Sequence, residues 1–286
     1  MNIGSNNLIS KLFFTMNSGY KIPAIGLGTY QIKQADEVDV AVSTAYKAGY
    51  RHIDSAVIYR NESAIGEALE KYNIPREEIF ITTKIPSNKM KYEDAKNCID
   101  NSLKNFKTDY IDLYLIHWPG AKSVEDRIGV WRALEEGVES GKIRSIGVSN
   151  FLPIHLNTVL KTCKIKPTVN QIEIHPLFID WETIKMCENE GILIEAYSTF
   201  ARMDPKLMNN KNLIEISNKY NKKPTQVLVR WAVQHGWVVL PKSTHEDRIY
   251  ENINVDDFNL NQDDIEILDS LNSNYKVAWD PKKIDF

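Results

Sequence analysis

Short apolar or β-branched runs alternate along the chain with longer amphipathic segments. The runs are AIGLG (24–28), RHID (51–54), FITTKI (80–85), YIDLYLIH (110–117), SIGVSN (145–150), TVNQIEI (168–174), LIEAYST (193–199) and VVLPKS (238–243). The segments between them read as helices. In 35–49, Val38, Ala41, Val42, Ala45 and Tyr46 recur at helical spacing and make one buried stripe. In 124–140, Val124, Ile128, Trp131, Leu134 and Val138 do the same, and Gly141 stands where a helix cap belongs. Ahead of the first run, FFTMNSGYKIP reads as a hairpin turning at Asn17-Ser18-Gly19. Residues 1–11 read as a flexible polar extension.

Eight strand–helix alternations with short connections predict a closed (β/α)8 TIM barrel, one domain over 12–286, with the hairpin at its N-terminal end. Consecutive apolar residues in each run suit parallel strands covered on both faces. The alternative is an open doubly wound sheet. GLGTYQ (26–31) offers G-x-G but no third glycine at the required place, so a dinucleotide fingerprint is weak here.

A barrel of this kind builds its site from the loops at the carboxyl ends of its strands. Polar side chains gather there on strand after strand: Asp54, Lys84, His117, Ser149-Asn150, Asn170-Gln171, Tyr197-Ser198 and Lys242-Ser243. Tyr59 follows Asp54 by one short loop. Alone, Asp54 reads as a helix-initiating carboxylate, Tyr59 as a packed aromatic and His117 as a strand cap. Lys84 is harder to explain that way, because a lysine inside FITTKI is costly to bury unpaired. Together the four suit proton transfer at a carbonyl or alcohol oxygen. Asp54 pairs with Lys84, the ammonium lowers the Tyr59 hydroxyl from its ordinary value of about 10, and His117 orients a substrate oxygen or assists the proton step itself.

Composition narrows the class. Of 286 residues, 43% are hydrophobic and 26% charged, an ordinary globular balance. The net charge of −3, with dispersed basic residues, gives no footprint for nucleic acid. No run is long enough for a membrane span, and the N-terminus lacks a signal-peptide pattern. Cys98, Cys163 and Cys187 are odd in number and far apart, which suggests neither a disulfide framework nor a metal site and fits a cytoplasmic protein.

Three stretches resemble the aldo-keto reductases: GYRHIDSAVIYRNESAIGEAL (49–69), YIDLYLIHWPG (110–120) with GKIRSIGVSNF (141–151), and PKSTHEDRIYEN (241–252). The short loop ARMDPKLMNN is most similar to the microbial branch, including prostaglandin F synthase-like and diketo-gluconate reductase-like enzymes. The resemblance implies a TIM barrel that binds NADPH/NADP+ without a doubly wound domain and reduces a small carbonyl compound as a monomer. It implies Tyr59 as general acid, Lys84 and Asp54 as its tuning partners, and His117 as the carbonyl-orienting residue. Ser149, Asn150 and Gln171 would hold the nicotinamide carboxamide, with Tyr197 stacked on its ring and Gly28, Thr29 and Ser198 also against the cofactor. Lys242, Ser243, Thr244 and Arg248 would contact the 2′-phosphate, with Glu251 and Asn252 near the adenine. An anionic phosphate wants such cations, and they favour NADPH over NADH.

Departures from the pattern are Ser55 in Asp54-Ser55-Ala56, Pro86 where an aromatic is common, and Thr199-Phe200 after Tyr197-Ser198. Tyr30 and Trp118 directly follow strands and are candidates to contact substrate. Trp279 and Phe286 in the tail either fold over the pocket or seal the barrel. His52 and His175 read as structural, and His155, His235 and His245 as surface or helix-end residues. Two other classes compete with the reductase: a cofactor-binding regulatory barrel similar to potassium-channel β subunits, and a Schiff-base aldolase using Lys84.

Overall fold

The computed structural model describes residues 8–121 and 123–283. Eight parallel strands form one sheet in chain order: β3 (Leu27–Gly28), β4 (His52–Asp54), β5 (Phe80–Ile85), β6 (Ile111–Ile116), β7 (Ile143–Ser149), β8 (Val169–Glu173), β9 (Leu193–Tyr197) and β10 (Val238–Val239). The two ends meet. Gly26 N donates to Val239 O and Val239 N to Ala24 O, each at 2.9 Å, so the sheet closes on itself as a (β/α)8 barrel. Gly26 allows this approach, since a Cβ there would lie 2.5 Å from the His52 ring. Strands β1 (Phe13–Thr15) and β2 (Lys21–Pro23) pair antiparallel as the N-terminal hairpin, with Gly19 at φ 86° in its turn.

Most of the extension, residues 1–7, lies outside the described residues, as does Phe286. Its last part, Ile9–Lys11, is a 3-10 turn tied down where Ser10 N and Oγ donate to Asp256 at 2.8 and 2.6 Å.

The helical pattern is realised with one shift. Helix α1 (Ala35–Ala48) buries Val38, Ala41, Val42 and Ala45, and Gly49 ends it at φ 104°. The next helices are α2 (Glu62–Lys71) and α3 (Tyr92–Phe106). Helix α4 (Val124–Glu139) is capped by Ser123 Oγ, which accepts from Asp126 N at 3.0 Å. Its buried face is Arg127, Val130, Trp131 and Leu134, whereas Val124 and Ile128 are exposed. Periodicity marks which side faces inward; it does not mark where the helix outruns the shell. His155, read as a surface or helix-end residue, is buried in the first turn of α5 (Pro153–Leu160), where its Nδ1 accepts from Leu152 N at 3.0 Å. The remaining helices are α6 (Trp181–Asn189), α7 (Pro205–Met208), α8 (Lys211–Lys219), α9 (Pro224–Gln234), α10 (Glu246–Ile253) and α11 (Gln262–Asp269). Among the described residues no helix is long and apolar enough to cross a membrane.

Candidate active site

Asp54 is the last residue of β4, and a 3-10 turn, Val57–Tyr59, follows at once. Tyr59 thereby returns over the strand end, and Arg60 leaves the turn at φ 59°. Asn61 pins this loop: it accepts from Ser55 Oγ at 2.6 Å and donates to Thr29 O and Ile32 O, each at 3.0 Å. Lys84 comes from β5, the neighbouring strand, and is fully buried. Its Nζ donates to both Asp54 oxygens at 2.7 and 2.8 Å and to Ser55 O at 2.7 Å. Three donors meet three acceptors, so no hydrogen on the ammonium is left unpaired.

The same Nζ lies 5.2 Å from the centre of the Tyr59 ring. The His117 ring is 5.7 Å from Tyr59, edge to face, and Tyr30 is 5.1 Å away on another side. Trp118 neighbours His117 at 6.5 Å, and Trp279 from the tail sits 6.1 Å from Trp118 while remaining 79% exposed. Of the two tail readings, the ring lies at the mouth rather than sealing the barrel. Buried Glu173 holds that tail, accepting from Val277 N at 2.6 Å and Ala278 N at 3.1 Å and forming an ion pair with Lys276 Nζ at 3.1 Å. Across the mouth, the Arg202 guanidinium lies 6.0 Å from the Tyr30 ring.

Electrostatics follow burial. Burial drives His117 down to about 3, helped by the Lys84 charge, so its imidazole is neutral at physiological pH. Tyr59 moves against expectation. Burial, then the Asp54 carboxylate and Tyr30, push its hydroxyl well above the ordinary phenol value. The Lys84 charge does not reverse this because Asp54 already neutralises it at contact distance. Burial also raises Asp54, against the pull of Lys84 and Gln171.

A polar row continues from this cluster. Ser149 Oγ donates to Gln171 O at 2.8 Å, and Asn150 Nδ2 donates to His117 O at 3.0 Å. Tyr197 donates its hydroxyl to Asn150 Oδ1 at 2.7 Å. Gln171 Nε2 donates to Asp54 Oδ2 at 2.8 Å and to Glu195 Oε2 at 2.6 Å. Thr29 Oγ1 donates to Asp54 O at 2.8 Å, and Ser198 takes the left-handed φ of 54° just past β9. Gly28 lets the neighbouring chain segment pack close, since a Cβ there would lie 3.0 Å from Leu240 O.

The second group of named residues stands apart, after β10. Lys242 and Arg248 are exposed, Thr244 is half-buried, and Ser243 Oγ accepts from His245 N at 3.0 Å at the start of α10. Glu251 is engaged by Lys223 and Thr225, and Asn252 is buried. Sequence reasoning passed over Asn61, Glu173 and Glu195, whose roles depend on partners far along the chain. A charged residue inside an apolar strand was the available signal for Glu195.

A barrel with polar groups at its strand ends is shared with known enzymes. The profile of the Aldo/keto reductase family matches residues 24–273. The chain is 42% identical to a 9,11-endoperoxide prostaglandin H2 reductase of Trypanosoma cruzi, over 93% of this chain and 94% of that protein. It is also 42% identical to a glyoxal reductase of Bacillus subtilis, over 95% and 96%. An aldo-keto reductase from a Medee basin deep-sea metagenome library superposes with a TM-score of 0.90 at 38% identity, covering 96% of this chain and 100% of that one. A Bombyx mori aldo-keto reductase solved in complex with NADP gives 0.87 at 33%, covering 94% and 95%. The chain belongs to the aldo/keto reductase family and is an oxidoreductase.

Proposed function

We propose that the protein reduces aldehyde or ketone carbonyls to alcohols, with Tyr59 as general acid and NADPH as its cofactor. The observation that carries the reading is the buried Lys84–Asp54 pair lying beneath Tyr59 and facing the neutral His117. The residues present fit such a cofactor. Ser149, Asn150 and Gln171 form a row of amide and hydroxyl groups suited to a carboxamide. Lys242 and Arg248 stand exposed at the start of α10, where a phosphate would meet cations and helix N–H groups.

When bound, NADPH supplies the hydride that adds to the carbonyl carbon. The residues manage the oxygen. His117, neutral, donates one N–H to the carbonyl oxygen and orients it without competing for the proton. Tyr59 keeps its proton at neutral pH, because burial disfavours the phenolate. As negative charge develops on the substrate oxygen, that proton moves to it. The resulting phenolate lies beside the Lys84 ammonium, which Asp54 holds in place.

This chemistry needs one chain only, and we read the protein as a monomer. Free Cys98, Cys163 and Cys187 suit a reducing compartment such as the cytoplasm. A panel of aldehydes and ketones followed by loss of NADPH absorbance tests the reading. Turnover of at least one class supports it; binding of NADPH without turnover of any would favour a regulatory barrel instead.

A further inference from the structure

Gln171 on β8 and Glu195 on β9 are register partners, while Asp54 lies on β4 across the lumen. The Gln171 amide therefore bridges two carboxyl groups from opposite walls, at 2.8 Å to Asp54 and 2.6 Å to Glu195. Glu195 is fully buried, and its Oε1 has no hydrogen-bond partner among the described residues. That oxygen lies 3.8 Å from His52 Nε2, which is itself engaged with Thr82 Oγ1 at 2.9 Å. The groups facing Glu195 are His52 and Asp54 from β4, Lys84 from β5 and Gln171 from β8; β10 offers only Val238 and Val239.

One ammonium cannot balance two carboxylates. Asp54 holds Lys84 with both oxygens, so Asp54 takes the charge and Glu195 keeps its proton. Burial first, and the Asp54 charge second, push Glu195 up to about 8. A primary amide has two N–H bonds and one acceptor oxygen. With both N–H bonds on carboxyl oxygens, the group Gln171 can offer a bound molecule is its carbonyl oxygen.

We propose that Glu195 is a positioning residue that locks the Gln171 amide in the orientation presenting its oxygen to the cofactor's carboxamide N–H, and so couples cofactor binding to the Asp54–Lys84 pair. The inference rests on the reductase reading above. Deprotonation of Glu195 puts a second negative charge in the lumen, which draws the amide away from Asp54 and disturbs the pair.

The test is NADPH affinity, read by protein fluorescence without substrate, below and above about pH 8. Wild-type affinity weakens as pH rises through that value. Glu195→Leu, shown to be folded by circular dichroism, binds NADPH about tenfold more weakly, the loss of one buried hydrogen bond. Glu195→Gln, which can still accept from Gln171, recovers most of that affinity and loses the pH dependence. Wild-type affinity in Glu195→Leu, or an unchanged pH dependence in Glu195→Gln, overturns the inference while leaving the reductase reading intact. A wild-type protein that does not bind NADPH overturns both.

Discussion

Both carboxylate oxygens of Asp54 accept from the Lys84 ammonium, at 2.7 and 2.8 Å, in a lumen where Lys84 has no exposed surface. Such a pair is costly to take out of water and costlier to break, because the surviving partner is left charged and buried. Lys84→Met should lower stability by about 3–5 kcal/mol, and Asp54→Asn combined with Lys84→Met should cost less than the sum of the two single changes. Denaturant unfolding of the three variants checks this; additive losses would mean the two side chains do not act as a pair.

The depressed proton affinity of His117 makes a kinetic prediction. Its imidazole stays neutral down to about 3, so carbonyl reduction should show no break near the ordinary histidine value. Charging it there would instead suppress the rate as pH falls. A pH profile of kcat for reduction decides, and an acid limb that disappears in His117→Gln and sits near the ordinary value would contradict the burial argument.

Arg248 and Lys242 are exposed and lie just ahead of or within the first turns of α10. Arg248→Ala should raise KM for NADPH by about tenfold or more, the value of a charge-assisted hydrogen bond, while KM for NADH changes little. Equal effects on both cofactors would place the guanidinium away from the 2′-phosphate.

Much of this arrangement is legible in the sequence, for physical reasons that differ residue by residue. The eight apolar runs hold the strands because parallel strands buried on both faces favour apolar residues on both, and a polar residue inside one needs a buried partner. Lys84 stood out because a lysine in such a run demands a partner, and Asp54 was the carboxylate on the adjacent strand. Glu195 carried a similar signal in LIEAYST, yet its partner Gln171 is 24 residues away and meets it through sheet register. The direction of the Tyr59 shift was also hidden, since it depends on how completely Asp54 satisfies Lys84. Trp279 is placed by Glu173, over a hundred residues earlier, and no local pattern encodes that contact.

The most direct test of the account is Tyr59→Phe, which deletes one hydroxyl and keeps the ring against Tyr30 and His117. The measurement is steady-state reduction of a turned-over aldehyde, alongside NADPH binding by fluorescence. Removal of a general acid should lower kcat by about 10²–10⁴-fold with NADPH affinity unchanged. A variant that reduces the aldehyde within a few-fold of wild type would contradict the assignment of Tyr59 as proton donor.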